Sequence, residues 1–401
     1  MKTKPICIYF FYALICLQIA GCDFKENKPE INDPSPNSFS LTNPVDSVSI
    51  NFTLSDFYST NTRLQFLTDS IYNTISNAEK AAQLIMPAVS DERLYKYPYA
   101  TALSLYKRHI IGGVLFLKNK KETVFRQTSQ LRRLQDSLNF FPLIFACDGE
   151  PALFHRKFTD ADSLLKASEQ ISIQDVITNT SIASQQIKAM GLNWNFAPVA
   201  DISFNQSVIG KRSFGNNPID VFNKCCTFIK TSNDFNLATC IKHFPGHGAV
   251  EGDTHKGIVT IAGPFKEIAG FKKIIDSVAP VSIMIGHIAV NNFTRFNTNS
   301  MPSSLSKIIV TDLLKDSFKY KGVIVTDAMS MGAVKNITDA DEKAIDAGVD
   351  LVVMPQNPVK LHHYIVSLLK KNSRQALIQE SVKKIIRLKI CLGLFNSNNK
   401  Q

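Results

Sequence analysis

Three things are scarce in this 401-residue chain, and each scarcity narrows the reading. No long Lys/Arg run concentrates the formal charge of +11, so no nucleic-acid partner is expected, only a diffuse attraction to acidic surfaces. No spacing among the cysteines suggests a metal knuckle or a dense disulfide framework. The apolar stretch from Pro5 to Ala20 is short for a membrane span. What remains is ordinary for a soluble globular protein, with 44% hydrophobic and 20% charged residues. The length suffices for one large barrel or two average domains.

The first residues nevertheless carry a message. Lys2 and Lys4 precede the greasy stretch, which ends in Ile19-Ala20-Gly21-Cys22, the pattern of an export signal. This ending resembles the lipobox of bacterial lipoproteins, a resemblance implying that Cys22 is acylated and becomes a lipid anchor. The expected location is then the bacterial cell envelope, on the periplasmic or outer-membrane side. Loss of the signal removes Cys7 and Cys16, and lipidation occupies Cys22. That leaves Cys147, Cys225, Cys226, Cys240 and Cys391, an odd number, mostly in apolar runs suited to small buried residues. Residues 23–54 are rich in Asn, Ser, Asp and Pro and read as a tether. The expected organisation is a signal at 1–21, the lipidated cysteine and tether at 22–60, a folded domain at 61–396 and a tail at 397–401.

Within the folded part, eight short apolar runs recur: 82–88, 111–117, 142–147, 192–199, 237–241, 281–285, 322–325 and 349–354. Amphipathic stretches of helical type separate most of them, among them 161–170, 181–190, 218–234, 304–317 and 338–347. Eight candidate strands alternating with helices favour an α/β fold, a single (β/α)8 TIM-type barrel, over a doubly wound open sheet. Polar residues cluster at the carboxyl ends of these runs. Asp148 and Glu150 follow the third, Asp201 the fourth, Lys242 and His243 the fifth, His287 the sixth and Asp327 the seventh. In such a barrel that face carries the active site.

The stretch from Ile241 to Gly257 combines a strand end with a loop punctuated by Pro245, Gly246, Gly248 and Gly252. Two residues apart, Asp253 and His255 are expected to point the same way, the carboxylate holding the imidazole in one tautomer. That pairing suits proton transfer near neutral pH.

Lys242-His243-Phe244-Pro245-Gly246-His247-Gly248, Asp253-Thr254-His255 and Gly322-Val323-Ile324-Val325-Thr326-Asp327-Ala328-Met329 resemble family-three glycoside hydrolases of the β-N-acetylhexosaminidase branch. Asn195-Phe196-Ala197-Pro198, Arg212-Ser213-Phe214-Gly215 and Leu392-Gly393-Leu394-Phe395 support the resemblance, which covers roughly residues 61–396. It implies a retaining β-N-acetylglucosaminidase that removes terminal N-acetylglucosamine from peptidoglycan fragments or related glycans. Asp327 matches the nucleophile, His255 the general acid/base and Asp253 its partner. Asp148, Arg156, Arg212, Lys242 and His243 match positions that bind the sugar hydroxyls. No cofactor and no metal are implied, and a monomeric lone barrel is expected to supply the whole site.

Retaining enzymes commonly use two carboxyl groups, so the Asp–His pair departs from the general scheme. A second departure is local: relatives commonly read Asp-Gln-Glu-Gly-Gly-Arg-Val where this chain has Asp148-Gly149-Glu150-Pro151-Ala152-Leu153-Phe154, a stiffer and less charged loop. Several alternatives stay open. They are a β-glucosidase or glycoside phosphorylase of the same family, a non-catalytic sugar-binding lipoprotein, a metal hydrolase using His243, His247 and His255, and a Schiff-base enzyme using Lys242.

Overall fold

Four consecutive apolar residues make a complete strand when both faces are covered, and the central sheet is built from such short buried pieces. The computed structural model describes residues 51–395, apart from 92, 94–95, 205, 251, 263–266 and 292–293. The predicted signal, Cys22, most of the tether and the tail lie outside the described residues.

The strands are β1 (Ile85–Met86), β2 (Ala88–Val89), β3 (Gly113–Phe116), β4 (Ile144–Cys147), β5 (Trp194–Asn195), β6 (Ala238–Phe244), β7 (Val259–Ala262), β8 (Ser282–Ile285), β9 (Ile288–Asn291), β10 (Val323–Thr326) and β11 (Val352–Val353). Seven of them form a curled parallel sheet in the order β10-β8-β6-β5-β4-β3-β2. β1 pairs in parallel with β11, and a single bridge joins Val325 to Leu351. The architecture is therefore α/β on a parallel curled sheet, with helices between the successive strands of the seven-stranded sheet. β7 and β9 form a separate parallel pair that the eight-run reading did not anticipate.

Helix starts follow local chemistry. Ser172 accepts from the Asp175 amide while Asp175 accepts from the Ser172 amide, a reciprocal cap for the helix Ile173–Ala189. Asn217 followed by Pro218 opens the helix Pro218–Asp234, and Asn357 followed by Pro358 opens Pro358–Leu369. The packed centre holds Trp194, Phe145, Ile283 and Val325, each essentially inaccessible, and the Trp194 indole donates to Ser282 Oγ at 3.0 Å.

The structure corrects two expectations. Residues 161–170 do not form a helix; only a 3-10 turn at Ala167–Glu169 appears. Distant side chains take up the backbone polar groups, since the Asp162 amide donates to Gln186 Oε1 and the Leu165 amide to Asn179 Oδ1, both at 2.9 Å. Residues 52–60, assigned to the tether, instead include part of the core. Phe52, Leu54 and Phe57 are buried, the Leu54 amide donates to Asn236 Oδ1 at 3.0 Å, and Tyr58 donates to the Pro280 carbonyl at 2.7 Å. Arg387 closes this segment by donating to the carbonyls of Phe57 and Ser59, each at 2.5 Å. The stretch 304–317 is a 3-10 turn, Ser303–Leu305, followed by a π-helix, Ile308–Ser317.

All five cysteines from Cys147 to Cys391 are buried and free. Among the described residues, no helix is long and apolar enough to cross a membrane.

Candidate active site

The carboxyl ends of β4, β6 and β10 converge in one charged network. Lys242, almost fully buried, places its ammonium between Asp148 Oδ1 and Glu150 Oε1, the latter at 2.5 Å. Arg212 grips Glu150 in a two-pronged pair, both contacts 2.7 Å, and its Nη2 lies 3.3 Å from His243 Nε2. His243 Nδ1 faces Asp201 Oδ2 at 2.6 Å, so Nδ1 carries the proton and Nε2 receives the Arg212 N–H.

Burial opposes ionisation in this network, and the partners overcome it. Asp148 is held well below the usual carboxylate range by Lys157 and Lys242, and Glu150 is lowered by Arg212 and Lys242. The Lys242 and Arg212 cations are stabilised in turn, each raised above its ordinary value despite burial. An ammonium fixed between two carboxylates is a hydrogen-bond donor and not a nucleophile, which removes the Schiff-base reading.

Asp327 stands directly after β10. Its amide bonds the Ile285 carbonyl at 2.9 Å and its Oδ1 accepts from the Ala328 amide at 2.8 Å. Burial raises its pKa, but His243, His287, the Ala328 amide and Lys242 outweigh that, and the net shift is downward. A half-buried carboxylate is thereby kept anionic. His287 Nε2 donates to the Ala328 carbonyl at 3.0 Å and Nδ1 lies 2.7 Å from Ser304 Oγ; burial is the chief influence that lowers its pKa.

The loop after β6 brings Asp253 and His255 together. Asp253 Oδ1 lies 2.8 Å from His255 Nδ1 and 2.9 Å from the His255 amide, which leaves Nε2 as the working nitrogen of an imidazole that is 63% exposed. The loop rests on a small apolar cluster of Val250, Val259 and Ile288, and thus on β7 and β9. Its backbone is also tied to the segment beyond Asp327. The Gly332 amide donates to the His255 carbonyl at 3.2 Å, and the Ala333 amide to the Thr254 carbonyl at 3.1 Å.

The loop's base is just as constrained. A Cβ on Gly248 would fall 1.6 Å from the Ile202 carbonyl oxygen, so only glycine fits. Buried Glu267 accepts the amides of Ile202 (2.5 Å), Gly248 (3.0 Å) and Ala249 (3.1 Å).

Against this geometry the Glycosyl hydrolase family 3 N terminal domain matches residues 76–388. The chain belongs to glycosyl hydrolase family 3. Beta-hexosaminidase A of Pseudoalteromonas piscicida is 31% identical over 279 residues, which are 63% of this chain and 47% of that protein. The chain thus spans about half the length of that relative. Beta-hexosaminidase LpqI of Mycobacterium bovis is 27% identical over 299 residues, 70% of this chain and 73% of the other. Among solved structures, a family 3 β-N-acetylglucosaminidase from a Paenibacillus species has a TM-score of 0.71 at 22% identity, covering 80% of this chain and 63% of that one. Mycobacterium tuberculosis LpqI has a TM-score of 0.67 at 23% identity, covering 79% and 95%.

Within this family 3 chain the structure gathers Asp148, Arg212, Lys242 and His243 into one network and pairs Asp253 with His255. Arg156 stands apart: it is exposed, on the single-turn helix Phe154–Lys157, and its neighbour Lys157 pairs with Asp148 Oδ2 at 2.7 Å. Sequence reasoning gave no role to Lys157, Glu267 or Thr254 and considered His247 only as a metal ligand. For Lys157 a signal existed in the stiff Pro151-Ala152 turn, where the Leu153 amide closes onto the Glu150 carbonyl at 2.9 Å and sets the phase of the following turn. The three histidines considered for a metal go to three different partners. Among the described residues no cluster of three His, Cys, Asp or Glu could hold an ion.

Proposed function

We propose that this protein is a retaining β-N-acetylglucosaminidase acting on terminal, non-reducing N-acetylglucosamine. The observation that carries the reading is an ionised Asp327 at the end of β10 whose following segment is hydrogen-bonded to the backbone of the Asp253–His255 pair. One group is a nucleophile, the other a proton-transfer pair, and a binding module needs neither.

The Asp327 carboxylate attacks the anomeric carbon as the glycosidic C–O bond breaks, and His255, carrying a proton on Nε2, gives it to the departing oxygen. The resulting ester is then opened by water. Neutral His255 takes a proton from that water, the new C–O bond forms, the ester bond breaks, and Asp327 returns as a carboxylate. Asp253 holds the imidazole in the tautomer that leaves Nε2 free and stabilises it when charged. Asp148, Lys242, Arg212 and His243 fix the sugar hydroxyls so that the anomeric carbon faces Asp327. Lys157, the second cation on Asp148, takes the sugar-binding place that the resemblance gives to Arg156.

The same reading takes the curled sheet as a complete eight-stranded barrel, with the Val325–Leu351 bridge and the β1–β11 pairing closing the ring. It also takes the protein as a monomer held by a lipid on Cys22 at the bacterial envelope, with peptidoglycan fragments as substrate. The relatives named beta-hexosaminidase support the sugar preference.

The deciding experiment compares p-nitrophenyl β-N-acetylglucosaminide with the β-glucoside, with and without phosphate. The expected result is turnover of the first, weak or no turnover of the second, and free N-acetylglucosamine as the product in either buffer. A faster glucoside, or a sugar 1-phosphate in phosphate buffer, overturns the assignment.

A further inference from the structure

One contact between the dyad loop and the body of the protein is a side-chain pair between two buried residues that no catalytic step uses. Thr254 sits between Asp253 and His255. Its neighbours face solvent, but Thr254 is 1% exposed, and its Oγ1 lies 3.2 Å from Nε2 of His247, itself 2% exposed. His247 is anchored from behind, because its amide donates to Asp201 Oδ1 at 2.8 Å, while Asp201 Oδ2 holds both the amide and the ring of His243. One carboxylate therefore sets the sugar-binding imidazole and the base of the contact to the acid/base loop.

The protonation state follows from the surroundings. Burial is the main influence on the His247 ring and pushes its pKa down, so the ring is neutral. Its Nδ1 is buried without a partner. A buried N–H without an acceptor costs more than an idle lone pair, so Nε2 carries the proton and donates to Thr254. A donor from the rigid strand end thus meets an acceptor placed one residue from each member of the dyad.

We propose that His247 is a positioning residue that latches the loop through the Thr254 hydroxyl and holds the His255 imidazole over the glycosidic oxygen. This rests on the assignment of His255 and Asp253 as the acid/base pair. Loss of the Thr254 hydroxyl leaves the sugar subsite intact, because Asp148, Lys242, Arg212 and His243 do not touch Thr254, whereas the His247 ring meets the His243 ring edge-on at 6.1 Å between centroids, so Thr254→Val is the cleaner of the two changes. The damage falls on proton delivery, and it grows as the leaving group becomes more basic.

The test uses the full chain and four single variants, His247→Leu, His247→Gln, Thr254→Val and Thr254→Ser, with the double variant His247→Leu/Thr254→Val. The substrates are the phenyl and 2,4-dinitrophenyl β-N-acetylglucosaminides. Displacing a catalytic group by about 1 Å costs on the order of 100-fold. The expected result is that His247→Leu and Thr254→Val lower kcat on the phenyl substrate by about 10- to 100-fold, with KM within about twofold. The dinitrophenyl substrate, needing little acid assistance, is nearly spared. Gln and Ser, which keep a donor and a hydroxyl, restore most of the rate, and the double variant is no slower than the slower single.

Equal losses on both substrates, or losses that multiply in the double variant, overturn the latch. Should His247→Leu fail to fold, Thr254→Val, a change of one hydroxyl, still decides. The two readings fail separately. Full activity of Thr254→Val beside an inactive Asp327→Asn sinks the latch alone, whereas full activity of Asp327→Asn sinks the mechanism beneath it.

Discussion

The Gly332 amide donates to the His255 carbonyl at 3.2 Å, and a Cβ on Gly332 would lie 2.5 Å from that same oxygen. This residue, five positions beyond Asp327, therefore supports the loop that carries Asp253 and His255 and demands close backbone approach. Gly332→Ala forces the two segments apart. Its expected signature is a kcat lowered about 10-fold or more with the melting temperature changed little, read by steady-state kinetics beside circular dichroism. An unchanged kcat would mean that the loop works in a different pose.

Asp327→Asn keeps the shape of the side chain and removes the anion. Turnover is expected to fall by roughly 10⁴-fold or more, with the far-ultraviolet spectrum preserved. In the parent, the lowered pKa of Asp327 places the protonation of this carboxylate below the ordinary aspartate value of 3.8. A kcat/KM profile limited by Asp327 near or above that value would contradict the stabilisation of its anion by His243, His287 and Lys242.

Lys157 and Lys242 together hold Asp148 as an anion far below its ordinary range. A carboxylate lowered in the folded state contributes stability that is present above its unfolded pKa and lost as pH falls through its folded one. Lys157→Met removes one of the two cations, so the midpoint of acid unfolding should move to higher pH and KM for the sugar should rise. Arg156→Met, at an exposed position, should do neither. The reverse pattern would return the role to Arg156.

Glu267 behaves oppositely. Burial and the nearby Asp201 charge raise its pKa to about 8, while three backbone amides partly offset the rise. An acid whose folded pKa lies above its unfolded value binds more protons when folded. Stability therefore falls as pH climbs from the ordinary glutamate value of 4.5 towards about 8. Glu267→Gln cannot lose that proton. Urea midpoints measured at pH 5 and pH 8 should differ less in the variant than in the parent, and an equal difference in both would rule out Glu267 as the source.

Much of this site was readable from the chain because its logic is local. Short apolar runs with polar residues at the carboxyl end revealed β4, β6, β8 and β10 and the groups that follow them. The two-residue spacing of Asp253 and His255 sufficed to pair them. What stayed hidden depends on contacts distant in sequence. Whether Arg156 or Lys157 reaches Asp148 turns on the phase of a single helical turn. Glu267 gains its role only when the 202 and 248 backbones arrive together. Thr254 looks like a neutral loop residue until His247 is seen behind it. Residues 52–60 show no sustained helical or strand period and pass for a tether, and only partners far along the chain, Asn236, Pro280 and Arg387, reveal that they are fastened down.

That fastening has a geometric outcome. Leu54 is bound by Asn236 and Tyr58 by Pro280, residues that precede β6 and β8, whereas Asp327 and His243 lie where strands end. Residues 54–58 are therefore fastened at the ends where β6 and β8 begin, away from the strand ends that carry His243 and Asp327. A molecule bound against residues 54–58 would thus leave those strand ends uncovered.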